Sequence, residues 1–319
     1  MAIVHLTEAS SGAPRLSGTN GDLCLVLDWA LVQNGWTIDF SSGFQRCYRA
    51  ASGNRFPLFI NHDSAVSGNA GLAVVRGAES QSAGTLTDAF PTVALLGNTL
   101  SNWLVSSTAS TTSRAFDLFI GPTFIIYCVN FSGTTNVWEW GFYGDISPSL
   151  SGDSYNTLCL VRNITTASTA TMYGVVPGAG SGNAQAYLTR SYDGTVKSTT
   201  SGITAPAAGT STVGKISGYP AAFAGPSTGL DTQKIAILDS GSQTLTLSTS
   251  KGLPTRGWLP NLLYPMHNGT ASSTSPNARD TYTNTSYSSL FIGIPFMGIA
   301  SINSGFVVVE ATDTWGPPI

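Results

Sequence analysis

Charged residues are scarce in this sequence. Lys, Arg, Asp and Glu together make up 10% of the 319 residues, against roughly 25% in an ordinary globular domain. Ser, Thr, Asn and Gly must therefore cover much of the surface, and such a surface exerts little electrostatic repulsion between copies. We interpret this composition as that of a protein that packs beside other copies of itself. Such a composition argues against an enzyme.

An excess of positive charge and a long apolar run are also missing. The net charge is −3 and the basic residues are scattered singly, so we expect no nucleic acid partner. The longest apolar stretches, 115–131 and 290–300, are interrupted by Asp, Gly or Pro and fall short of the ~20 residues of a membrane helix. The first residues lack a signal-peptide pattern. We therefore expect no membrane insertion, and synthesis in a cytoplasm.

Cysteine is rare, and its spacing does not suggest a metal site. No pair has the Cys-x-x-Cys spacing of a zinc site, and all four lie in apolar runs, which predicts small buried thiols. The four are Cys24, Cys47, Cys128 and Cys159. The glycine runs 178–182 and 224–229 lack the lysine of a phosphate loop. We expect no cofactor and no metal-binding residues.

The N-terminal part of the chain predicts an extended arm followed by a short helix. Residues 1–20 are mostly small or polar and cannot form a core alone, so they either contact a neighbouring chain or are disordered. Residues 22–34 carry one apolar stripe at helical spacing, formed by Leu23, Val26, Leu27, Ala30 and Leu31. Thr19 or Asn20 is expected to cap the helix start, and Gly35 is expected to end it.

Strand patterns dominate the chain after this helix. Short alternating or apolar segments recur between Ser/Thr/Gly-rich turns, at 44–50, 55–61, 71–76, 102–106, 115–120, 124–130, 137–143 and 155–161. A hairpin is predicted from 234–240 and 244–249. The fold class we predict is mainly β, with a sandwich- or barrel-like body, one short N-terminal helix and an extended N-terminal arm.

Composition also suggests a division of the chain. We predict an arm at 1–20, a helix with an N-terminal β lobe at 21–161, and a C-terminal β lobe at 162–319. Long loops rich in Ser, Thr, Ala, Gly and Pro, clearest at 198–229, belong to the C-terminal lobe.

Few residues offer acid, base or nucleophile chemistry. The histidines are His5, His62 and His267, and no Gly-x-Ser-x-Gly elbow is present. Asp145 and Asp153 could form a glycosidase pair. Both acids, however, lie in turn sequences, where Gly and Asp serve local backbone bonds. The sequence therefore predicts a protein that is not an enzyme, with no catalytic residues.

An aromatic strand at 138–143 has two interpretations. Trp138, Trp140 and Phe142 alternate onto one face. An exposed row would indicate carbohydrate or partner binding, whereas a buried row is ordinary core. We favour core, because a strand in a two-layer β fold buries at least one face.

Several segments, taken together, resemble a family of virion structural proteins of tailed bacteriophages. The resemblance is carried by GAPRLSGTNGDLCLVLDWALVQNGW at 12–36, FQRCYRAASGNRFPLFINHD at 44–63, WEWGFYGDI at 138–146, TRGWLPNLLYPMHNG at 255–269 and EATDTW at 310–315. It implies a protein made in the infected bacterium and assembled into the virion in many copies. No catalytic residue is implied.

The resemblance leaves the position in the virion open. One possibility is a capsid decoration or minor capsid protein that stabilises the head lattice. Its partners would then be other copies of itself, as a trimer, and virion proteins such as the major capsid protein. The alternative is a tail-tip, baseplate or receptor-binding protein that contacts the host surface through exposed loops.

Overall fold

The computed structural model confirms a mainly β fold with few helices. It describes residues 3–92, 101–133, 138–163, 184–191, 194–195, 202–204, 232–238, 255–265, 281–284, 289–296 and 305–310. The predicted strand 244–249, His267 and both glycine runs lie outside the described residues. No described helix has the length and apolar character needed to cross a membrane.

Sheet I is an antiparallel sheet that curls into a half-barrel. Its strands are β1 (Val4–Thr7), β2 (Thr37–Ser42), β3 (Gln45–Arg49), β4 (Leu58–Asn61), β5 (Leu72–Gly77), β8 (Ser101–Leu104), β9 (Phe116–Ile120), β10 (Phe124–Val129), β11 (Glu139–Asp145), β13 (Thr157–Asn163) and β14 (Ala184–Leu188). The spatial order is β1-β9-β10-β11-β13-β8-β5-β4-β3-β2, with β14 paired to β13.

The other elements are a second sheet, a small hairpin and two helices. Sheet II contains β12 (Ser147–Pro148), β15 (Gly202–Thr204), β16 (Thr232–Leu238), β17 (Thr255–Pro265), β18 (Thr281–Asn284), β19 (Ser289–Phe296) and β20 (Gly305–Glu310). The hairpin pairs β6 (Ser80–Ser82) with β7 (Thr85–Thr87), and the helices are α1 (Asp22–Val32) and α2 (Ser64–Ser67).

Both faces of the central strands of sheet I are buried. One face packs against α1, in a cluster that includes Leu118, Tyr127 and Tyr143 together with the apolar stripe of the helix. The opposite face carries a second cluster, and Ile237 and Leu259 of sheet II belong to it. Strands buried on both sides are largely apolar. β10 is apolar throughout, and β9 is apolar except for Asp117.

The helix α1 forms as its apolar stripe predicts, but its predicted cap is wrong. The stripe residues are buried, and Gly35 adopts the left-handed conformation expected after the helix, with φ 83°. Gly21 occupies the N-cap position, and no side chain caps the helix from there. Instead, the backbone N–H of Leu23 donates to Nδ1 of His62, over 3.1 Å.

The N-terminal arm is extended and lies on the sheet of its own chain. Its strand β1 pairs antiparallel with β9, with His5 opposite Phe119. Further along the arm, Leu16 and Ser17 are fully buried. The predicted domain boundary at 161 falls within β13, and β14 still belongs to sheet I.

Sheet I forks at β13, which pairs with three strands. These are β11, β14 and, through Arg162 and Asn163, β8. The buried indole of Trp103 on β8 lies at this fork and donates through Nε1 to the carbonyl of Leu160, over 2.9 Å. A Cβ atom added to Gly141 of β11 would lie 2.3 Å from that Nε1. The close approach of the two strands therefore requires glycine at position 141.

We expect Gly141→Ala to lower the free energy of unfolding by about 2 kcal/mol, because the added methyl group overpacks the indole. Chemical denaturation measures the effect. In a Trp103→Leu background the same substitution should cost much less, since the side chain it meets is smaller and can give way. An equal cost in both backgrounds would contradict this explanation.

Candidate functional site

The first acid of the candidate glycosidase pair, Asp145, holds a neighbouring loop. Its Oδ2 accepts from the backbone N–H of Asn54 over 2.8 Å, and its Oδ1 accepts from Oγ1 of Thr157 over 2.5 Å. Burial raises the pKa of Asp145, and the nearby charge of Asp153 adds to that rise. Both oxygens are thus engaged within the chain.

The second acid, Asp153, is locked in a bidentate ion pair with Arg256 of β17. Nη2 of Arg256 donates to Oδ1 over 2.8 Å, and Nε donates to Oδ2. The side chain of Arg256 is 2% exposed and that of Asp153 is 1% exposed. Oδ1 of Asp153 also accepts from the backbone N–H of Tyr155, over 2.9 Å. The pair joins the loop after β12 to sheet II.

The structure brings the two acids close enough to interact electrostatically, yet both carboxylates are engaged by groups of the same chain. A glycosidase needs one carboxyl group that protonates the leaving group and a second that attacks the sugar or activates water. Asp145 has the raised pKa of such an acid. The carboxylate of Asp153, however, is buried and fully occupied by Arg256. The geometry supports a structural role for both acids.

The two described histidines are also structural. His5 on the arm is hydrogen-bonded to Asp117 of β9 over 2.6 Å, and its ring stacks on Phe119 with centroids 4.4 Å apart. His62 is fully buried, and its Nε2 lies 2.9 Å from the carbonyl of Ala70, so that nitrogen carries the proton. Burial lowers the pKa of His62. Its neutral imidazole joins α1, β4 and the start of β5.

The aromatic strand belongs to the core, as predicted. Trp138, Trp140 and Phe142 are 4%, 2% and 0% exposed. They pack with residues of sheet II in the second apolar cluster. This row is therefore not available to a carbohydrate or a partner.

All four cysteines are buried free thiols, as predicted. Burial raises the pKa of Cys24 to about 12 and that of Cys47 to about 11, so neither forms the reactive thiolate near neutral pH. Among the described residues, no group of three or more His, Cys, Asp or Glu side chains is arranged to hold a metal ion.

The sequence did not reveal how the charged side chains are used. Each described acidic side chain accepts a hydrogen bond or takes part in an ion pair within the chain. Glu139 and Arg162 form a second deeply buried pair, at 4% and 2% exposure. Arg190 binds Glu79 in a bidentate pair across 111 positions of sequence. No local pattern signals partners so far apart in sequence.

Comparison with known proteins assigns no family. No family model matches the chain, and no curated protein is significantly similar to it. The features of this chain that bear on its function are therefore its composition, its resemblance to virion structural proteins and the contacts of its described side chains.

We expect Asp153→Asn to lower the free energy of unfolding by about 3 kcal/mol, because it leaves the buried guanidinium of Arg256 without a counter-charge. The double variant Asp153→Leu, Arg256→Met should recover part of that loss. Asp39→Asn is the matched control, because Asp39 and its partner Arg49 are 21% and 28% exposed. This substitution should lower the free energy of unfolding by less than about 1 kcal/mol. Equal losses at the two sites would contradict the role given to burial.

The buried His62 should make folding sensitive to mild acid. The folded protein holds this imidazole neutral, whereas the unfolded chain takes up a proton near the ordinary pKa of 6.5. Stability is then fully present above that pH and falls below it, by at most about 1.4 kcal/mol per pH unit for one proton.

The variant His62→Asn tests this assignment. It keeps an acceptor for the N–H of Leu23 but cannot titrate, so it should be less stable at pH 7.5 and should lose less between pH 6.5 and 5. His5→Asn is the control variant, and in it the loss of stability in acid that is due to His62 should remain. Denaturation midpoints at several pH values measure both. An unchanged acid dependence in His62→Asn would refute the assignment.

Proposed function

We propose that this chain is a structural component of a tailed-bacteriophage virion, made in the bacterial cytoplasm. Within the virion we place it on the capsid, as a decoration or minor capsid protein that stabilises the head lattice. It acts as a trimer whose partners are other copies of itself and the major capsid protein, because closed symmetry is the usual form of homo-oligomers.

The observation that carries this proposal is the neutrality of the surface. Charged residues make up only 10% of the chain, and the described acids are consumed by contacts within the chain. Such a surface presents mainly hydroxyl, amide and apolar groups, and copies packed at high local concentration repel one another little. Dense packing in a lattice favours this property, whereas solubility alone does not require it.

Exposed apolar side chains near α1 support contact with a neighbouring virion protein. Leu25 and Val32 are 53% and 48% exposed and lie two turns apart on one side of the helix. Phe44, 41% exposed, packs next to Gly21 at the start of the same helix. Clustered exposed apolar groups are typical of protein interfaces.

The tail-tip and receptor-binding alternative has less support. It requires exposed loops and aromatic residues that reach the host surface, and the aromatic strand at 138–143 is buried between the two sheets. An enzymatic function also has little support, because Asp145 and Asp153 are engaged in structural bonds. We therefore give only the capsid assignment.

Copy number and position in purified virions test the proposal. Densitometry of a virion gel should give a copy number comparable with the number of lattice sites, and an averaged electron-microscopy map should place the chain on the head. The purified protein should have the mass of a trimer in light scattering. A few copies per particle, or density at the tail tip, would contradict the capsid assignment.

A pair of matched substitutions tests the apolar surface on α1. Leu25→Lys should reduce incorporation into virions severalfold, because a charge placed in an apolar contact is desolvated without a partner. Leu150→Lys changes a leucine of equal exposure, 54%, in the loop after β12. It should leave incorporation unchanged. Thermal denaturation of both variants controls for folding, and equal incorporation of the two would contradict the role of α1.

A further inference from the structure

Strand β2 is an edge of sheet I that faces solvent. Among the described strands it pairs only with β3, and five of its six residues are exposed. A free edge of this kind offers backbone N–H and C=O groups to which another strand can hydrogen-bond. The one charged residue of β2, Asp39, is paired with Arg49 of β3. The side chains of β2 therefore carry no unpaired charge that would repel a second copy of the same strand.

The tip of the β6–β7 hairpin contacts this edge. Asp39 is the extra residue of a bulge in β2, so it has no register partner on β3. Its backbone carbonyl accepts from Nε2 of Gln81 over 3.4 Å, and Oε1 of the same amide accepts from the backbone N–H of Gly84 over 3.2 Å. Gly84 lies against the ring of Phe40, since a Cβ atom added there would be 2.6 Å from Cε1. The hairpin therefore occupies a backbone acceptor and an aromatic ring of β2.

One arginine holds the base of the hairpin. Glu79 precedes β6 and Asp88 follows β7, and the backbone N–H of Glu79 donates to the carbonyl of Thr87 over 3.1 Å. Nε and Nη2 of Arg190, which follows β14, donate to Glu79, and Nη2 also donates to Asp88 over 3.3 Å. The side chains of Arg190 and Glu79 are each 21% exposed. Dissolved salt therefore weakens this attachment.

The hairpin has little stability of its own. Each strand has three residues, and a two-stranded hairpin is at best marginally stable in isolation. The turn residues Ala83 and Gly84 both have positive φ, 49° and 82°, and alanine rarely adopts that conformation. The closed position therefore depends on the contacts of Gln81 and Arg190, and the hairpin can open by local unfolding while the sheet stays folded.

From these contacts we propose that the β6–β7 hairpin is an autoinhibitory element, which blocks the pairing of β2 with β2 of a second copy. When the hairpin opens, the carbonyl of Asp39 and the ring of Phe40 become accessible. Two copies then join antiparallel through their β2 edges, in a two-fold contact that extends sheet I from one chain into the other. Ile38, 38% exposed, lies on this edge and packs in the contact. The contact is separate from the three-fold contacts of the proposed trimer, and the inference does not depend on the proposed function.

Hydrogen exchange and light scattering of the full-length protein test the proposal. Arg190→Gln should speed exchange of the amides at 80–87 roughly fivefold or more, because the base of the hairpin loses its charged hydrogen bonds. It should also give particles of twice the wild-type mass at equal concentration. Arg46→Gln is the matched control, since the pair of Arg46 with Asp28 of α1 has similar exposure, 13% and 24%. It should leave both measurements unchanged.

Two substitutions in the hairpin alter its opening without changing Arg190. Gln81→Ala removes the amide that binds Asp39, so it should speed exchange and raise the mass in the same direction. Ala83→Asn creates the Asn-Gly pair preferred in this turn, so it should slow exchange at 80–87 and keep the wild-type mass. The proposal is overturned if either Arg190→Gln or Gln81→Ala keeps the wild-type rate of exchange.

Ile38→Lys in the Arg190→Gln background tests whether β2 makes the contact. A lysine on an edge strand disfavours pairing, so the double variant should return to the wild-type mass while exchange at 80–87 stays fast. A doubled mass that persists in the double variant overturns the role of β2. Fast exchange in Arg190→Gln without a rise in mass overturns the pairing with a second copy. Each mass is compared with wild type, so a wild-type protein that is not a trimer contradicts the proposed function alone.

Discussion

Burial of both faces of the central strands of sheet I is the constraint on which the rest of the structure depends. Strand β10 is apolar throughout and β9 is apolar except for Asp117, so each face needs a separate cover. Helix α1 covers one face, and residues of sheet II pack on the other. The helix can fulfil this role only if its start is fixed, and the buried imidazole of His62 provides that attachment.

The same constraint governs the use of charge. An ionised group inside two packed layers loses its hydration, and a partner must offset much of that cost. Glu139 illustrates the balance, because burial raises its pKa while the guanidinium of Arg162 opposes the rise. The bidentate geometry of this pair supplies two charged hydrogen bonds. A chain with few charged residues needs few such arrangements, which agrees with the composition.

Local patterns predicted those parts of the fold that depend on neighbouring residues. The apolar stripe of α1 and the alternation of the aromatic strand are both visible within one short window, and both predictions are confirmed. The cap of α1 was not predictable, because His62 is 39 positions from Leu23. The roles of Asp145 and Asp153 were likewise hidden, since their partners Asn54 and Arg256 are 91 and 103 positions away. Sequence patterns correctly placed Asp153 among turn residues, whereas Asp145 was predicted in a turn and is the last residue of strand β11. In neither case could the pattern show what the carboxylate binds.

The position of the arm has a consequence for the order in which the chain is made and assembled. β1 and β2 lie at opposite edges of sheet I, although only α1 separates them in sequence. His5 meets Asp117 across 112 positions. At ~5–20 residues per second, a ribosome needs roughly 6–20 s to add that length of chain. Strand β1 therefore waits unpaired while most of the sheet is synthesised, and it closes the edge at β9 only afterwards.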